Sequence, residues 1–274
     1  MRLAELLPGL APAVNALPDL WLAQAIKAQF SAWEALHLVS MSVLGGASII
    51  LNLRLIGVGM TNEPASEIQR NLRVWINVGV IGILITGLLI ALPDARRLYN
   101  STAFPVKMLA LLAGVILTYG VSLPVARADG DMPAPARGWW LAGLAATALV
   151  LFFFATTSGL NPGLFHLLAA AALIVLFAIH GRMRWIYLAG LLALFGLHFA
   201  ATHVLIDPYD FARGDPTNKA FAWVYAAWIL GFAGRGLFGA RPGAANRPLV
   251  QAVGYVTILV WVLAAAAGRW IAFA

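Results

Sequence analysis

Cysteine is absent from the 274-residue sequence, which excludes disulfides, iron–sulfur clusters, thiolate zinc sites and cysteine nucleophiles. Charge is also scarce, because Asp, Glu, Lys and Arg make up only 11% of the residues. A soluble globular protein is roughly a quarter charged, so a water-solvated exterior is excluded. Phosphate-binding loops, dinucleotide-binding fingerprints and zincin motifs are missing as well. The composition therefore predicts a membrane protein whose nitrogen and sulfur ligands are histidine and methionine.

Long apolar runs make up most of the sequence, and each is close to the about 20 residues that one spanning helix requires. Eight runs cover about residues 30–59, 72–93, 104–124, 138–157, 162–180, 184–205, 220–239 and 249–272. The alternating segments of about ten residues that form a transmembrane barrel are missing. We therefore predict an all-α fold, a polytopic membrane helix bundle with about eight transmembrane helices.

Residues 1–29 precede the first run, and we predict a short interfacial segment there that is helical from Asp19 to Ala28. The rest of the chain divides into two predicted four-helix halves, residues 30–157 and 158–274. Ala35-Leu36-His37-Leu38 resembles Leu164-Phe165-His166-Leu167, and each motif begins an apolar run. These matches suggest a 4+4 parallel repeat about an axis along the membrane normal. Short matches also arise by chance in an Ala/Leu-rich chain, so both explanations stay open.

Lysine and arginine predict the orientation. The net charge is +7, but the basic residues lie at the ends of apolar runs, which is a membrane pattern and argues against nucleic-acid binding. We call the face that holds the N-terminus X and the opposite face Y. The Y loops around Arg182–Arg184 and Arg235–Arg247 contain almost no acidic residues. We therefore predict a multi-pass protein of the bacterial inner membrane, with Y cytoplasmic and the N-terminus periplasmic.

Four of the five histidines lie near face X in this topology, namely His37, His166, His198 and His203. Ideal helix geometry places His166 and His198 within about 3 Å of the same depth. Imidazoles at equal depth on facing helices are suited to ligate a b-type haem, or alternatively copper. Candidate metal ligands are therefore His37, His166 and His198, with His203 beside them in the cofactor site. A structural role is the alternative for each histidine, above all for His180 at face Y.

Lys107 lies just inside the third run from face X, where its ammonium would suit a haem propionate or an anionic quinone intermediate. Arg96 and Arg97 on the preceding loop would suit the same groups, or would reach lipid phosphates. Met41, one turn after His37, is a candidate soft copper ligand, although a lone methionine in a membrane helix is usually a packing residue.

Several motifs in the first half resemble a known group of proteins. Trp33-Glu34-Ala-Leu-His37, then Gly45-Gly46 and Asn52-Leu-Arg54-Leu-Ile-Gly57, is similar to the opening of a family of uncharacterised bacterial membrane proteins. That family is similar to the CopD copper-resistance proteins and the HemJ-type haem-binding membrane oxidases. Asn100…Ala103-Phe104-Pro-Val-Lys107 resembles the third-span signature of the same group. The resemblance covers about residues 30–125.

This resemblance implies haem b at His37 and Lys107, because a first-span histidine and a later lysine are associated with haem in HemJ-like proteins. Relatives often carry a histidine at the far end of the third span. Here that region reads Thr118-Tyr-Gly120-Val, so a ligand there is lost or moved, and His166, His198 and His203 are candidate replacements.

We expect a membrane b-type cytochrome-like electron-transfer subunit with its haem near the periplasmic face. It would link a periplasmic dehydrogenase or cytochrome c to the quinone pool, as an accessory subunit more than as a stand-alone enzyme. Three alternatives stay open. They are a CopD-like copper-handling permease, a HemJ-like oxidase of porphyrinogen, and a cofactor-free membrane anchor or assembly subunit of a larger complex.

Overall fold

The structure is a computed structural model that describes residues 2–156, 168–169, 171–173, 175–176, 179, 181–207, 210–238 and 247–271. The described helices are α1 (Leu3–Leu6), α2 (Ala11–Ala16), α3 (Trp21–Ala28), α4 (Phe30–Ile56), α5 (Ala65–Ala91), α6 (Ala95–Asn100), α7 (Ala103–Arg127), α8 (Ala134–Thr156), α9 (Arg182–Leu205), α10 (Phe211–Phe238) and α11 (Arg247–Trp270). Within these residues there is no strand, and the predicted all-α fold is confirmed.

Six of the described helices are long and apolar enough to cross a membrane, namely α4, α5, α7, α8, α9 and α11. They confirm the predicted polytopic membrane helix bundle. The total of eight spans stays a prediction, because much of the fifth run, 162–180, lies outside the described residues. The seventh run, 220–239, falls largely within α10.

The chain forms two compact units, residues 1–163 with 249–274, and residues 164–248. This division differs from the predicted halves, 30–157 and 158–274, because α11 belongs to the first unit. The reason is a set of buried polar contacts. Trp261 Nε1 of α11 donates to Thr118 Oγ1 of α7 at 3.0 Å, and Thr257 Oγ1 lies 3.1 Å from Ser122 Oγ. The 4+4 repeat stays a prediction, since His166 and its neighbours lie outside the described residues.

The closest helix packing in the first unit joins α4 to α5. A Cβ at Gly79 of α5 would come within 2.7 Å of the Leu44 backbone nitrogen in α4. Glycine therefore lets the two backbones approach, as small residues commonly do between membrane helices. α4 ends where Gly57 adopts a φ of +88°, a left-handed conformation that favours glycine.

The N-terminal segment packs against α6, the short helix between α5 and α7. Tyr99 Oη donates to the Leu7 carbonyl at 2.7 Å, and Arg96 donates to the Asn15 carbonyl at 2.6 Å. Arg96 also forms an ion pair with Asp19 at 3.3 Å. The predicted helix from Asp19 to Ala28 is present as α3, Trp21–Ala28. These contacts hold residues 2–28 against the α5–α7 connection.

The second unit has a small apolar core of its own. Tyr187, which is fully buried, packs with Val175, Ile179 and Ile229, and partly buried aromatic side chains of α10 surround the cluster. Tyr187 Oη donates to the Ala172 carbonyl at 3.0 Å. Tyr187 of this core lies on α9, the helix that also carries His198 and His203.

Candidate functional site

Two adjoining cavities lie among α4, α5, α7 and α11 in the first unit, with volumes of about 300 and 250 Å³. Their shared lining residues are His37, Met41, Lys107 and Ala265. The structure therefore brings His37 and Lys107 together, while haem b at these residues stays a prediction. We call these four residues and the two cavities the His37–Lys107 site. The rest of the first cavity is mainly apolar, including Ile49, Leu111 and Val262, and apolar lining with a few polar groups is typical of ligand sites.

His37 is held on α4 by contacts with α5. Its side chain is 8% exposed, and its Nδ1 lies 2.8 Å from Thr86 Oγ1. Thr86 in turn donates to the Gly82 carbonyl at 2.6 Å. A Cβ at Gly87 would lie 3.3 Å from His37 Cε1, so the absence of a side chain at Gly87 lets the imidazole pack closely against α5. The ring orientation thus depends on two residues of the second span.

Lys107 enters the site from α7 and is half-buried. Its aliphatic stem passes over Gly268 of α11, where a Cβ would lie 3.4 Å from Lys107 Cε. In the described part of the chain Lys107 makes no ion pair. An ammonium that forms no ion pair is costly inside a membrane and is often functional there. The site therefore offers a positive charge to an anionic ligand.

Charged residues line the outer part of the second cavity, among them Glu34, Asp94, Arg97 and Arg269. Arg97 pairs with Asp94, while the ion pair of Arg96 is with Asp19. Both arginines therefore have partners within the protein. Their predicted contact with haem propionates, or alternatively with lipid phosphates, stays a prediction. Within the site itself, Lys107 is the cation that lines both cavities.

A buried polar network joins the helices of the first unit beyond the cavities. Ser122 Oγ donates to Asn52 Oδ1 at 2.9 Å and lies near Thr257, while Trp261, which lines the first cavity, donates to Thr118. Thr118 and Ser122 mark the two ends of a π-helical segment in α7, a feature that is frequent at functional sites. Through Thr118 this segment holds Trp261 in the wall of the first cavity.

Sequence reasoning missed four residues that build the site: Thr86, Gly87, Trp261 and Gly268. A signal for the contact between α4 and α5 was present in the sequence as the spacing of small residues along α5. Gly79, Gly82 and Gly87 all contact α4. Small residues at helical spacing indicate close helix packing in membranes. That pattern predicts a contact between spans, but it does not identify the side chain on the opposite helix.

The second unit places His198 in a different environment. His198 Nε2 lies 2.9 Å from Asn218 Oδ1, and its ring stacks on Phe221 with centroids 4.5 Å apart. This imidazole nitrogen is therefore already hydrogen-bonded to an amide oxygen. His166, the predicted partner of His198 at equal depth, lies outside the described residues, and so does His180. The pairing of His166 with His198 stays a prediction.

His203 is exposed and lies in the π-helical segment Ala201–Leu205. Its Nδ1 is 2.8 Å from Thr202 Oγ1, and its ring stacks on Phe199 at 4.6 Å. A cavity of about 450 Å³ is lined by both histidines and by Asp207, Asp210 and Asp215. Among the described residues, no group of three or more His, Asp or Glu side chains is arranged to hold a metal ion.

Comparison with known proteins gives one match. A model of a family of unknown function, DUF6644, matches residues 23–159, which is half of the chain. The matched region contains α4, α5, α7 and α8, and with them His37, Thr86 and Lys107. No curated protein and no solved structure matches the chain. The chain belongs to the DUF6644 family.

Proposed function

We propose that this member of the DUF6644 family is a membrane-embedded haem b protein that transfers electrons, with the haem held in the His37–Lys107 site. The observation that carries the proposal is the placement of a buried imidazole and an ammonium on the same two cavities. An imidazole suits haem iron, and an ammonium suits a propionate carboxylate. The first cavity, about 300 Å³, is at the lower end of the size range of small-molecule sites, and the second adjoins it with about 250 Å³.

Several residues of the chain would bind different parts of the haem. His37 offers an imidazole nitrogen to the iron. Lys107 pairs with a propionate, or as a free amine becomes the second ligand. The apolar residues of α4, α7 and α11 exclude water from the macrocycle, which tunes the potential of a bound haem. When bound, the haem supplies a one-electron couple inside the membrane.

In this proposal the protein lies in the bacterial inner membrane, with face X periplasmic. Lys107 lies close to that face, so a periplasmic dehydrogenase or cytochrome c would exchange electrons at X, and quinone would exchange them from the bilayer. The support is the excess of Lys and Arg in the short loops of face Y and the rule that such loops stay cytoplasmic. The protein is then an electron-transfer subunit that acts with a partner.

Copper is a second candidate ligand of the same site, because Met41 lines both cavities together with His37. Thioether and imidazole groups both bind copper, and thioethers favour Cu(I). A copper-handling protein of this kind would contain the metal without a haem spectrum. This observation makes copper the direct competitor of haem at His37.

The test is the visible spectrum of the detergent-purified protein, air-oxidised and then reduced with dithionite, with total metal measured on the same sample. A Soret band with sharp reduced α and β bands supports the haem proposal. A featureless spectrum with stoichiometric copper overturns it in favour of copper handling. Oxidation of added porphyrinogen by the haem-containing protein alone would instead identify an oxidase. If a preparation grown with excess haem and copper contains neither, the proposal fails and the membrane-anchor alternative gains support.

A further inference from the structure

Thr86 has a single hydroxyl proton, and the structure shows where that proton goes. Thr86 Oγ1 lies 2.6 Å from the Gly82 carbonyl oxygen, and a carbonyl oxygen can only accept a hydrogen bond. The hydroxyl therefore donates to Gly82. Towards His37, whose Nδ1 is 2.8 Å away, the same oxygen can act only as an acceptor.

The proton arrangement of His37 follows from this. Because Thr86 accepts, Nδ1 of His37 must carry a proton, and a neutral imidazole then has its lone pair on Nε2. The Nδ1 and Cε1 edge of the ring faces α5, since a Cβ at Gly87 would lie 3.8 Å from Nδ1 and 3.3 Å from Cε1. Within the described residues Nε2 makes no hydrogen bond. The lone pair is therefore available to the cavities that His37 lines.

We propose that Thr86 is a positioning residue that fixes the tautomer of His37 and makes Nε2 the atom that binds the metal ion of a ligand in the His37–Lys107 site. The ligand part of this inference rests on the proposed haem function, whereas the tautomer does not. A hydrogen bond from the second nitrogen of a metal-binding histidine fixes its ring and raises its basicity, and its loss commonly costs 10–100-fold in metal affinity or activity.

The first experiment measures the tautomer directly. Protein labelled with 15N-histidine is depleted of haem, because an iron bound at Nε2 would by itself leave the proton on Nδ1, and the imidazole nitrogens are assigned to His37 by comparison with His37→Gln. We expect a proton on Nδ1 in the wild type and in Thr86→Ser. In Thr86→Val we expect that preference to be lost. A proton on Nε2 in the wild type, or an unchanged His37 signal in Thr86→Val, overturns the inference.

The second experiment measures haem content and the midpoint potential of the same variants. We expect Thr86→Val to bind haem about tenfold more weakly and to shift the midpoint potential, and Thr86→Ser to restore both. Thr147→Val is the matched control. Thr147 is buried and its hydroxyl also donates to the carbonyl four residues earlier, at Gly143, but it makes no hydrogen bond to a described histidine. This control should leave haem and potential unchanged.

The two experiments separate the failure of this inference from the failure of the proposed function. If no haem is found in any variant, the haem proposal fails, and the nitrogen spectra alone decide the role of Thr86. If haem is present and Thr86→Val matches the wild type in tautomer, haem content and potential, the role of Thr86 is refuted while the haem proposal stands. Equal losses in Thr86→Val and Thr147→Val would also refute it, because they indicate a general effect on folding.

Discussion

The histidines of the two units differ in where their partners come from. His37 is buried on α4 and is held by Thr86 of α5, 49 residues away in the sequence. His203 is exposed and bonds to Thr202, its immediate neighbour. His198 bonds through Nε2 to Asn218, on the next described helix. An imidazole that a neighbouring helix orients towards a cavity is prepared for a ligand, whereas an imidazole whose Nε2 already meets an amide is part of the local structure.

The same contrast holds for other polar side chains. In the first unit, hydrogen bonds join Ser122 to Asn52, 70 residues apart, and Trp261 to Thr118, 143 residues apart. In the second unit the spans are shorter, 15 residues from Tyr187 to Ala172 and 41 from Trp228 to the Tyr187 carbonyl. Long-range polar contacts fix the position of helices relative to each other, so the first unit holds its cavities in a defined shape. The comparison teaches that a site is better recognised by its non-local contacts than by its residue types.

Replacing His37 should give the largest effect. We expect His37→Gln to reduce haem content at least about tenfold, because the proposed iron ligand is removed, while His198→Gln retains haem. Haem is measured by pyridine haemochrome absorbance per protein, with size-exclusion profiles to show that both variants fold. The reverse result, loss of haem in His198→Gln and retention in His37→Gln, would place the haem site in the second unit and refute the distinction between the two histidines.

Replacing Lys107 tests the charge in the same site. Lys107→Met keeps the aliphatic length and removes the ammonium, and we expect about tenfold weaker haem binding, since a hydrogen bond to a charged group contributes roughly 1.5–3 kcal/mol. Titration of haem into depleted protein measures the affinity. Lys27→Met, an exposed lysine of α3, is the control and should bind as the wild type does. Equal binding by all three proteins would show that Lys107 only reaches the lipid headgroups.

The sequence was sufficient to predict most of the helices of this fold. The apolar runs 30–59 and 104–124 correspond to α4, Phe30–Ile56, and α7, Ala103–Arg127. A clear difference is α5, which begins at Ala65 although its apolar run starts at residue 72. Its first two turns contain Glu67 and Arg70, which form an ion pair across one turn. Hydropathy detects the part of a helix that lipid surrounds, and it does not detect a polar extension.

The site could be predicted only in part, for a physical reason. His37 and Lys107 are chemically distinctive, so residue type and position near face X were enough to single them out. Thr86 and Gly87 have ordinary side chains, and their role comes only from the packing of α5 against α4. The place of α11 in the first unit was equally hidden, because Thr257 and Trp261 are unremarkable in sequence and meet Ser122 and Thr118 only in three dimensions.

A smaller effect is expected from removing one long-range hydroxyl contact. Ser122→Ala leaves Asn52 Oδ1 without the donor it has at 2.9 Å, and polar contacts of this kind contribute about 0.6 kcal/mol on average in a membrane protein. We expect the Tm in detergent to fall by about 1–2 °C. Ser42→Ala is the control, because Ser42 Oγ donates only to the Leu38 carbonyl of its own helix. If Ser42→Ala lowers the Tm as much as Ser122→Ala does, long-range hydroxyl contacts stabilise the protein no more than local ones.

The smallest expected change in Tm comes from Asp129, an exposed residue between α7 and α8 that makes a long-range contact. The Ser66 backbone N–H donates to Asp129 Oδ1 at 2.8 Å and the Ser66 hydroxyl to Oδ2 at 3.0 Å. These two bonds lower the pKa of the Asp129 carboxyl below its ordinary value. A lowered pKa in the folded state contributes stability above the unfolded pKa, about 3.9. That contribution is lost as the pH falls through the folded value.

We therefore expect Asp129→Asn to lower the Tm by about 1 °C at pH 7, an effect limited by solvent exposure, and the difference from the wild type to shrink as the pH falls below about 4. Asp131→Asn, at the nearby carboxylate that makes no bond to Ser66, is the control and should leave the Tm at pH 7 unchanged. A difference that grows on acidification would have the wrong sign for a carboxylate stabilised by Ser66. It would also show that the exposed end of the first unit, unlike its buried interior, does not depend on contacts between residues far apart in the chain.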